Sequence, residues 1–256
     1  MFITSIANQK GGVGKTTTSI NLAVGIANAG KKVLLLDFDP QANTTSGIGA
    51  NVEDAPSAYP ALLGDAPIED CCLKTKYENL DIIPANMDLS GIEIELAGQD
   101  DQILRLRNIL ADLRASEKYD YCIIDTPPSL GILMTSALVA SDDVLIPLQC
   151  EWFGLEGLAK IIEIIYQIKE SGSNPNLEVG GILMTMYDSR TNLSKSVVAE
   201  VQQYFGEEIY KTKVPRSVRI SESPSHALTI FEHDPGGVGA KAYREARDEY
   251  IQRHEG

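Results

Sequence analysis

Residues 8–17 carry side chains suited to binding phosphate and a metal ion. They read Asn-Gln-Lys-Gly-Gly-Val-Gly-Lys-Thr-Thr, after a predicted strand and before a predicted helix. Closely spaced glycines let the backbone turn tightly and present N–H groups to phosphate oxygens, and a helix N-terminus adds positive charge. Lys15 can reach the β- and γ-phosphates, and the Thr16 hydroxyl can bind Mg²⁺. This segment, called the phosphate loop below, predicts a nucleoside triphosphate site.

The residues of the loop predicted to contact nucleotide are Gly11, Gly12, Val13, Gly14, Lys15, Thr16 and Thr17. The alternative is a glycine-rich turn that closes a strand–helix unit and carries an incidental lysine and threonines. Spacing, composition and placement between a strand and a helix all favour the phosphate site.

The elements around this loop alternate between short β-branched runs and longer helical ones. Strands are predicted over residues 2–7, 32–37, 80–84, 121–125, 144–149, 179–186 and 208–214. Helices are predicted over residues 16–29, 103–116, 155–171, 194–205 and 239–254. Continuous apolar strands between helices indicate a single α/β domain, a mostly parallel twisted sheet with helices on both faces. Residues 49–79 are the least regular stretch and are predicted to be a surface excursion.

Charge and composition limit the classes of function. The net charge is −14, but residues 1–180 hold 25 acids and 12 bases, whereas residues 181–256 hold 11 and 10. A basic DNA-coating protein is excluded, while a local basic patch in the last third is not. No apolar run approaches the length of a membrane span, and the N-terminus lacks the basic start of a secretory signal. The four cysteines form no C-x-x-C pair and are predicted to be reduced, structural thiols.

Lys10 distinguishes this loop from an ordinary phosphate loop, which needs only Lys15. The run Lys-Gly-Gly-Val-Gly-Lys-Thr resembles the deviant Walker A motif of the ParA/MinD ATPase superfamily. The resemblance implies a P-loop NTPase fold of the deviant Walker A type, with ATP and Mg²⁺ bound. It also implies that Lys10 reaches the partner's nucleotide in an ATP-dependent homodimer, where two subunits sandwich two ATP molecules. A lysine supplied in this way neutralises phosphate charge only once the dimer has assembled.

Three further segments match the superfamily in order. Residues 34–41 (Leu-Leu-Leu-Asp-Phe-Asp-Pro-Gln) imply that Asp39 lies near the γ-phosphate and attacking water, with Asp37 in support. Residues 123–128 (Ile-Ile-Asp-Thr-Pro-Pro) resemble a Walker B segment, in which Asp125 holds Mg²⁺ through water. The implied magnesium site comprises Thr16, Asp39 and Asp125. Residues 149–157 imply that Glu151 contacts the partner's nucleotide ribose; a helix-start acid favoured by the helix dipole is the alternative.

The last third is similar to short, chromosomal-type (Soj-like) ParA partition ATPases in residues 184–192, 214–226 and 234–240. The resemblance implies DNA binding without sequence preference, a ParB-type partner that stimulates slow ATP hydrolysis, and a cytoplasmic, nucleoid-associated protein. It assigns adenine contact to Pro215 and Arg216. The implied DNA contacts are Arg190 and Arg219, with Lys195, Lys211 and Lys213 as weaker candidates. Each could instead be a solvated surface charge.

Three rival functions share this core. A ParA-like ATPase could position another cargo. A MinD-like regulator would bind membranes, but the predicted C-terminal helix does not look like an amphipathic anchor, so no membrane partner is expected. An ATPase for metal or electron transfer is opposed by the missing C-x-x-C. No helix–turn–helix segment precedes the phosphate loop, so operator repression is not expected either.

Overall fold

The computed structural model describes residues 1–50 and 56–255. Eight strands form one sheet in the order β3-β4-β2-β5-β1-β6-β7-β8. Only the short β3 runs antiparallel to its neighbour; the other described pairs are parallel. The strands are β1 Phe2–Ile6, β2 Val33–Asp37, β3 Leu73–Lys74, β4 Leu80–Ile83, β5 Tyr121–Asp125, β6 Asp143–Gln149, β7 Glu178–Tyr187 and β8 Ile209–Pro215.

The helices connect these strands and cover the sheet. They are α1 Lys15–Asn28, α2 Asn43–Gly47, α3 Tyr59–Leu63, α4 Ile92–Glu95, α5 Arg105–Ala115, α6 Ile132–Ala140, α7 Gly154–Glu170, α8 Asn192–Phe205, α9 Val218–Glu222, α10 Ile230–His233 and α11 Val238–Glu255. Short 3-10 helices lie at Ile68–Cys71, Met87–Gly91, Gly206–Glu208 and Ser223–His226.

Both faces of the sheet are buried, which explains why its strands are apolar at nearly every position. Along β2, Leu34 and Leu36 face one hydrophobic cluster, and Val33 and Leu35 face another. Helices α5 and α6 contribute to the first cluster, and α1 and α11 to the second. A third cluster packs α7 and α8 against β6 and β7. The predicted α/β class with helices on both faces is confirmed.

The interpretation of residues 49–79 as a surface excursion is wrong for part of its described residues. Helix α3 and the 3-10 helix Ile68–Cys71 bury Ala61, Leu62, Ile68 and Cys71 in the core. Residues 51–55 lie outside the described residues. Helix α6 was not predicted either, because it is apolar on nearly all sides and has no polar face to reveal its period.

Helix α11 buries its apolar side within the molecule. Ala242, Tyr243, Ala246 and Tyr250 are buried, and the helix packs against α1 and β8. The Arg247 guanidinium donates to the carbonyl of Gly25 in α1 at 3.2 Å. Across residues 1–50 and 56–255, no helix combines the length and hydropathy required to cross a membrane.

Candidate nucleotide site

The phosphate loop joins β1 to α1 and is held in a fixed shape by contacts on both sides. Gly12 and Gly14 adopt φ angles of 74° and 93°, which favour glycine. The Asn8 amide donates to the Pro147 carbonyl at 2.9 Å and accepts from the Lys10 N–H at 3.0 Å. The Thr185 hydroxyl donates to the Val13 carbonyl at 2.8 Å. These bonds anchor the loop to β6 and β7.

The loop borders a cavity of about 350 Å³ at the carboxyl end of the sheet. Six predicted loop residues and Asp39 meet there; Val13, also predicted, is buried behind the loop and does not line it. The lining residues are Gly11, Gly12, Gly14, Lys15, Thr16, Thr17, Asp39, Gln41, Asn43, Pro128 and Met186.

Asp125 lies at the end of β5, beside this cavity, and its carboxylate is fully buried. The Thr16 hydroxyl donates to its Oδ2 at 2.9 Å, and the Thr44 hydroxyl donates to the same oxygen at 2.7 Å. The Ser19 hydroxyl donates to Oδ1 at 2.9 Å. Burial raises the pKa of Asp125, although these three hydroxyls favour the ionised form. The carboxylate and the Thr16 hydroxyl are hard oxygen donors, which Mg²⁺ prefers.

Asp37 and Asp39 have different surroundings. Asp37 Oδ2 accepts from the Thr45 N–H and hydroxyl, both at 2.7 Å, and Oδ1 accepts from the Asp39 N–H at 3.2 Å. Burial and the neighbouring Asp125 carboxylate raise the pKa of Asp37 to about 7. Asp39 instead faces the cavity, and its Oδ1 accepts from the Gln41 N–H at 3.0 Å. Asp37 thus supports the backbone that presents Asp39.

Lys15 is buried, and its ammonium donates to the Lys10 carbonyl at 3.2 Å. Burial lowers the pKa of Lys15, while the charges of Asp125 and Asp39 oppose that shift. A cation that lines a cavity among backbone glycines, with a neutral carbonyl as its bonded partner, suits a polyphosphate anion. The residues present therefore fit a magnesium–nucleotide complex.

Lys10 and Glu151 lie on the rim beside α7. The Lys10 ammonium is 3.8 Å from Glu151 Oε2. Gly157 allows α7 to approach closely, because a Cβ there would lie 2.9 Å from Asn8 Oδ1 and 3.4 Å from Lys10 Cβ. A separate cavity of about 580 Å³ runs from Lys10 along α7. Trp152 and Phe153 stand 62% and 70% exposed at the start of that helix.

Pro215 and Arg216 lie on a neighbouring cavity of about 170 Å³, rather than on the phosphate cavity itself. Gly14 and Thr17 line both cavities, so the two adjoin at the loop. Val214, Ile220 and the Tyr243 ring supply apolar surface to the smaller cavity, as a flat base would require.

The predicted DNA contacts lie on β8 and on segments that follow β7 and β8. Arg190 precedes α8 and is 87% exposed, and Arg219 in α9 is also exposed. Lys195 on α8 and Lys211 on β8 are exposed, while Lys213 is half-buried with its ammonium 5.8 Å from the centre of the Tyr187 ring.

Sequence reasoning missed three polar residues that organise the site. Ser19 and Thr44 bond Asp125, and Asn8 fixes the backbone of Lys10. Thr44 had a usable signal, because it lies five residues after Asp39 in the continuous run Asp-Pro-Gln-Ala-Asn-Thr. Ser19 also had one, since it is one helical turn beyond Lys15 on the same face.

A family model described as "AAA domain" matches residues 1–179. The chromosome partitioning protein ParA of Caulobacter vibrioides (strain NA1000 / CB15N) is 44% identical over 98% of this chain and 94% of its own length. The sporulation initiation inhibitor protein Soj of Bacillus subtilis (strain 168) is 48% identical over 94% of each chain. The chain belongs to the ParA/Soj family, within the ParA/MinD superfamily.

The fold of this ParA/Soj family member also matches solved structures. Cobyrinic acid a,c-diamide synthase from Mycobacterium smegmatis, solved with a bound ATP analogue and magnesium, aligns with a TM-score of 0.86. It is 33% identical, and the alignment covers 100% of this chain and 96% of that chain. The ParA and Soj relatives share a larger fraction of identical residues with this chain than that synthase does.

Proposed function

We propose that this protein is a ParA-type ATPase that partitions chromosomal or plasmid DNA. Mg-ATP would assemble two subunits into a dimer that binds DNA without sequence preference, and a ParB-type partner would stimulate hydrolysis and release. The observation that carries the proposal is the Thr16–Asp125 hydrogen bond beneath a glycine loop whose rim presents a second lysine, Lys10. Identity of 44–48% to named ParA and Soj proteins supports it.

In the proposed site, the N–H groups of Gly11, Gly12, Val13 and Gly14 and the ammonium of Lys15 bind the phosphates. Thr16 and Asp125 hold Mg²⁺, with Asp39 close enough to the cavity to position the attacking water. Bound Mg²⁺ supplies charge neutralisation and orients the reacting phosphate. Thr17 contacts the α-phosphate, and Pro215 and Arg216 border the base. These roles leave Asp37 and Thr45 to hold the Asp39 loop.

Exposed apolar side chains support the proposed dimer. Leu130, Trp152, Leu193 and Val218 are exposed, and they follow the carboxyl ends of β5, β6, β7 and β8 respectively. All four strand ends border the edge that carries the phosphate loop. Several large apolar side chains exposed at the same edge as a binding site are typical of a protein interface. A second subunit placed there would meet Lys10 and Glu151 at the rim.

The DNA part of the proposal depends on doubling a small basic surface. Residues 209–220 contain four basic residues and no acid, although the chain carries a net −14. One subunit offers few cations to phosphate, whereas a dimer offers twice as many, so DNA binding should require ATP. Such a protein would work in the cytoplasm on the nucleoid. Slow intrinsic turnover would keep the dimer assembled between partner encounters.

The test is binding to a random-sequence duplex with ATP, with ADP and without nucleotide, over a range of salt concentrations. Binding that needs ATP and falls steeply with salt is the expected result. Binding that does not depend on nucleotide would overturn the ATP-dependent switch, and absence of binding in every state with dimerisation intact would overturn the DNA assignment. In the latter case, cosedimentation with vesicles and a search for another cargo would test the rival functions.

A further inference from the structure

Both principal arginines of the proposed DNA surface are already paired with acids of the same chain. Arg190 Nε and Nη2 donate to Asp188 Oδ1 and Oδ2 at 2.9 and 2.8 Å, a two-point pairing. Arg219 Nη1 lies 3.5 Å from Glu222 Oε2, a single and longer contact. These acids form part of the surface that would have to accept phosphate.

The pairing of Arg190 needs little ordering of the chain. Asp188 and Arg190 are two residues apart in one turn, and Asp188 Oδ1 also accepts from the Arg190 N–H at 3.0 Å. The Arg190 side chain remains 87% exposed, so solvent and ligands reach it without rearrangement of the core. The guanidinium group that forms two hydrogen bonds to this carboxylate is the same group that would form two hydrogen bonds to a phosphate.

We propose that Asp188 and Glu222 are built-in competitors of DNA phosphate, which keep Arg190 and Arg219 in ion pairs and set a weak affinity for DNA. The inference rests on the proposed DNA binding and adds a feature of the chain that regulates its affinity. Each phosphate contact must first displace an internal carboxylate, so the affinity gained per arginine is small. The carboxylate that is displaced also stays beside the duplex and repels it.

Weak contacts suit a protein that must leave DNA when its dimer separates. A single subunit then gains too little from its arginines to stay bound, while two subunits together gain enough. Asp188 should have the larger effect, because its bond to Arg190 is two-point and short, whereas Glu222 makes one long contact and also faces His233 at 3.7 Å.

The test compares Asp188→Asn, Glu222→Gln and Glu178→Gln for ATP-dependent binding to a random-sequence duplex over a salt series. Asparagine can still accept the Arg190 N–H bond, so the turn is preserved while the charge is removed. Glu178 is the matched control: it is an exposed acid 2.8 Å from Lys169, at the opposite edge of the sheet, and its removal changes net charge equally. Thermal unfolding should be unchanged in all three variants, and the basal ATPase rate should be unchanged in the Glu178→Gln control.

Asp188→Asn should bind about three- to tenfold more tightly per dimer than the control, and Glu222→Gln about twofold. The slope of log affinity against log salt should steepen by roughly one to two for Asp188→Asn, since an arginine in each subunit becomes free to neutralise phosphate. In an Arg190→Ala background, Asp188→Asn should gain no more than the control. If the wild type binds DNA but Asp188→Asn gains no more affinity than Glu178→Gln, this inference alone is overturned. Absence of DNA binding by the wild type with ATP would overturn the proposed function instead.

Discussion

Thr16 and Asp125 are 109 positions apart in the chain, yet the hydroxyl of one donates to the carboxylate of the other at 2.9 Å. The bond joins the first turn of α1 to the carboxyl end of β5. Because β1 and β5 are neighbouring parallel strands, the loop after β1 and the acid at the end of β5 meet at one edge. The fold itself therefore brings the proposed magnesium ligands Thr16 and Asp125 together.

Replacing Thr16 tests this arrangement directly. Thr16→Ala should lower the ability of Mg²⁺ to strengthen ATP binding by about tenfold or more, because one oxygen donor is removed. Thr16→Ser keeps the hydroxyl and should retain most of the effect. Titration of a fluorescent ATP analogue with and without Mg²⁺ measures both. Equal magnesium dependence in Thr16→Ala and wild type would contradict the assignment.

Asp39→Ala should yield an ATP-bound dimer that does not turn over. Its carboxylate faces the cavity and is the group proposed to position water, so turnover should fall by roughly 100-fold or more while ATP binding remains. Size-exclusion chromatography with ATP measures dimer formation, and a phosphate-release assay measures turnover. Asp112→Ala, at an exposed position on α5, serves as the control. Normal hydrolysis by Asp39→Ala would rule out the water-positioning role.

Substitution of Lys15 and substitution of Lys10 should impair different functions. Lys15 is buried in the cavity, so Lys15→Ala should lose nucleotide binding itself. Lys10 lies on the rim near Glu151, so Lys10→Ala should keep ATP binding in the monomer and lose ATP-dependent dimerisation. Trp152 is the single tryptophan and is 62% exposed, so its fluorescence should report dimer formation. Dimerisation of Lys15→Ala with ATP would refute the phosphate-loop assignment.

A buried ion pair at the other edge of the sheet predicts a pH dependence of stability. His254 Nε2 is 2.8 Å from Asp143 Oδ2, and His254 Nδ1 is 2.7 Å from the Tyr250 carbonyl. Both partners are acceptors, so only the imidazolium donates to both. Burial alone would lower the pKa of His254, but the bond to Asp143, the charge of Asp143 and the Tyr250 carbonyl together outweigh burial, so the pKa is raised.

A raised pKa in the folded state means that protonated His254 stabilises the fold. The stabilisation should be complete below about pH 6.5, the unfolded value, and should be lost as pH rises through the folded value. Urea unfolding of wild type and His254→Gln from acidic to alkaline pH measures the difference in the free energy of unfolding. The His226→Gln variant, at an exposed position, serves as the control. A difference that grows with rising pH would have the wrong sign.

The phosphate loop illustrates what local sequence suffices to predict. Its glycines, Lys15 and Thr16 are adjacent in the chain, and the apolar run before them indicates a strand, so composition and spacing alone place them between β1 and α1. The class of fold could also be predicted from local sequence, because strands buried on both faces must be apolar at nearly every position. Helix α6 could not be predicted in this way, because a helix buried on most sides has no periodic alternation of apolar and polar residues.

Pairings between distant residues were decided by the tertiary structure. The bond of Thr44 to Asp125, the approach of Gly157 to Asn8 and the two adjoining cavities depend on strand order, which no single segment encodes. The same holds for Lys10 and Glu151, which are far apart in the sequence, whereas the fold places their charges 3.8 Å apart. Local spacing determines which groups are available, whereas packing determines which of them face one another and how free each remains to bind.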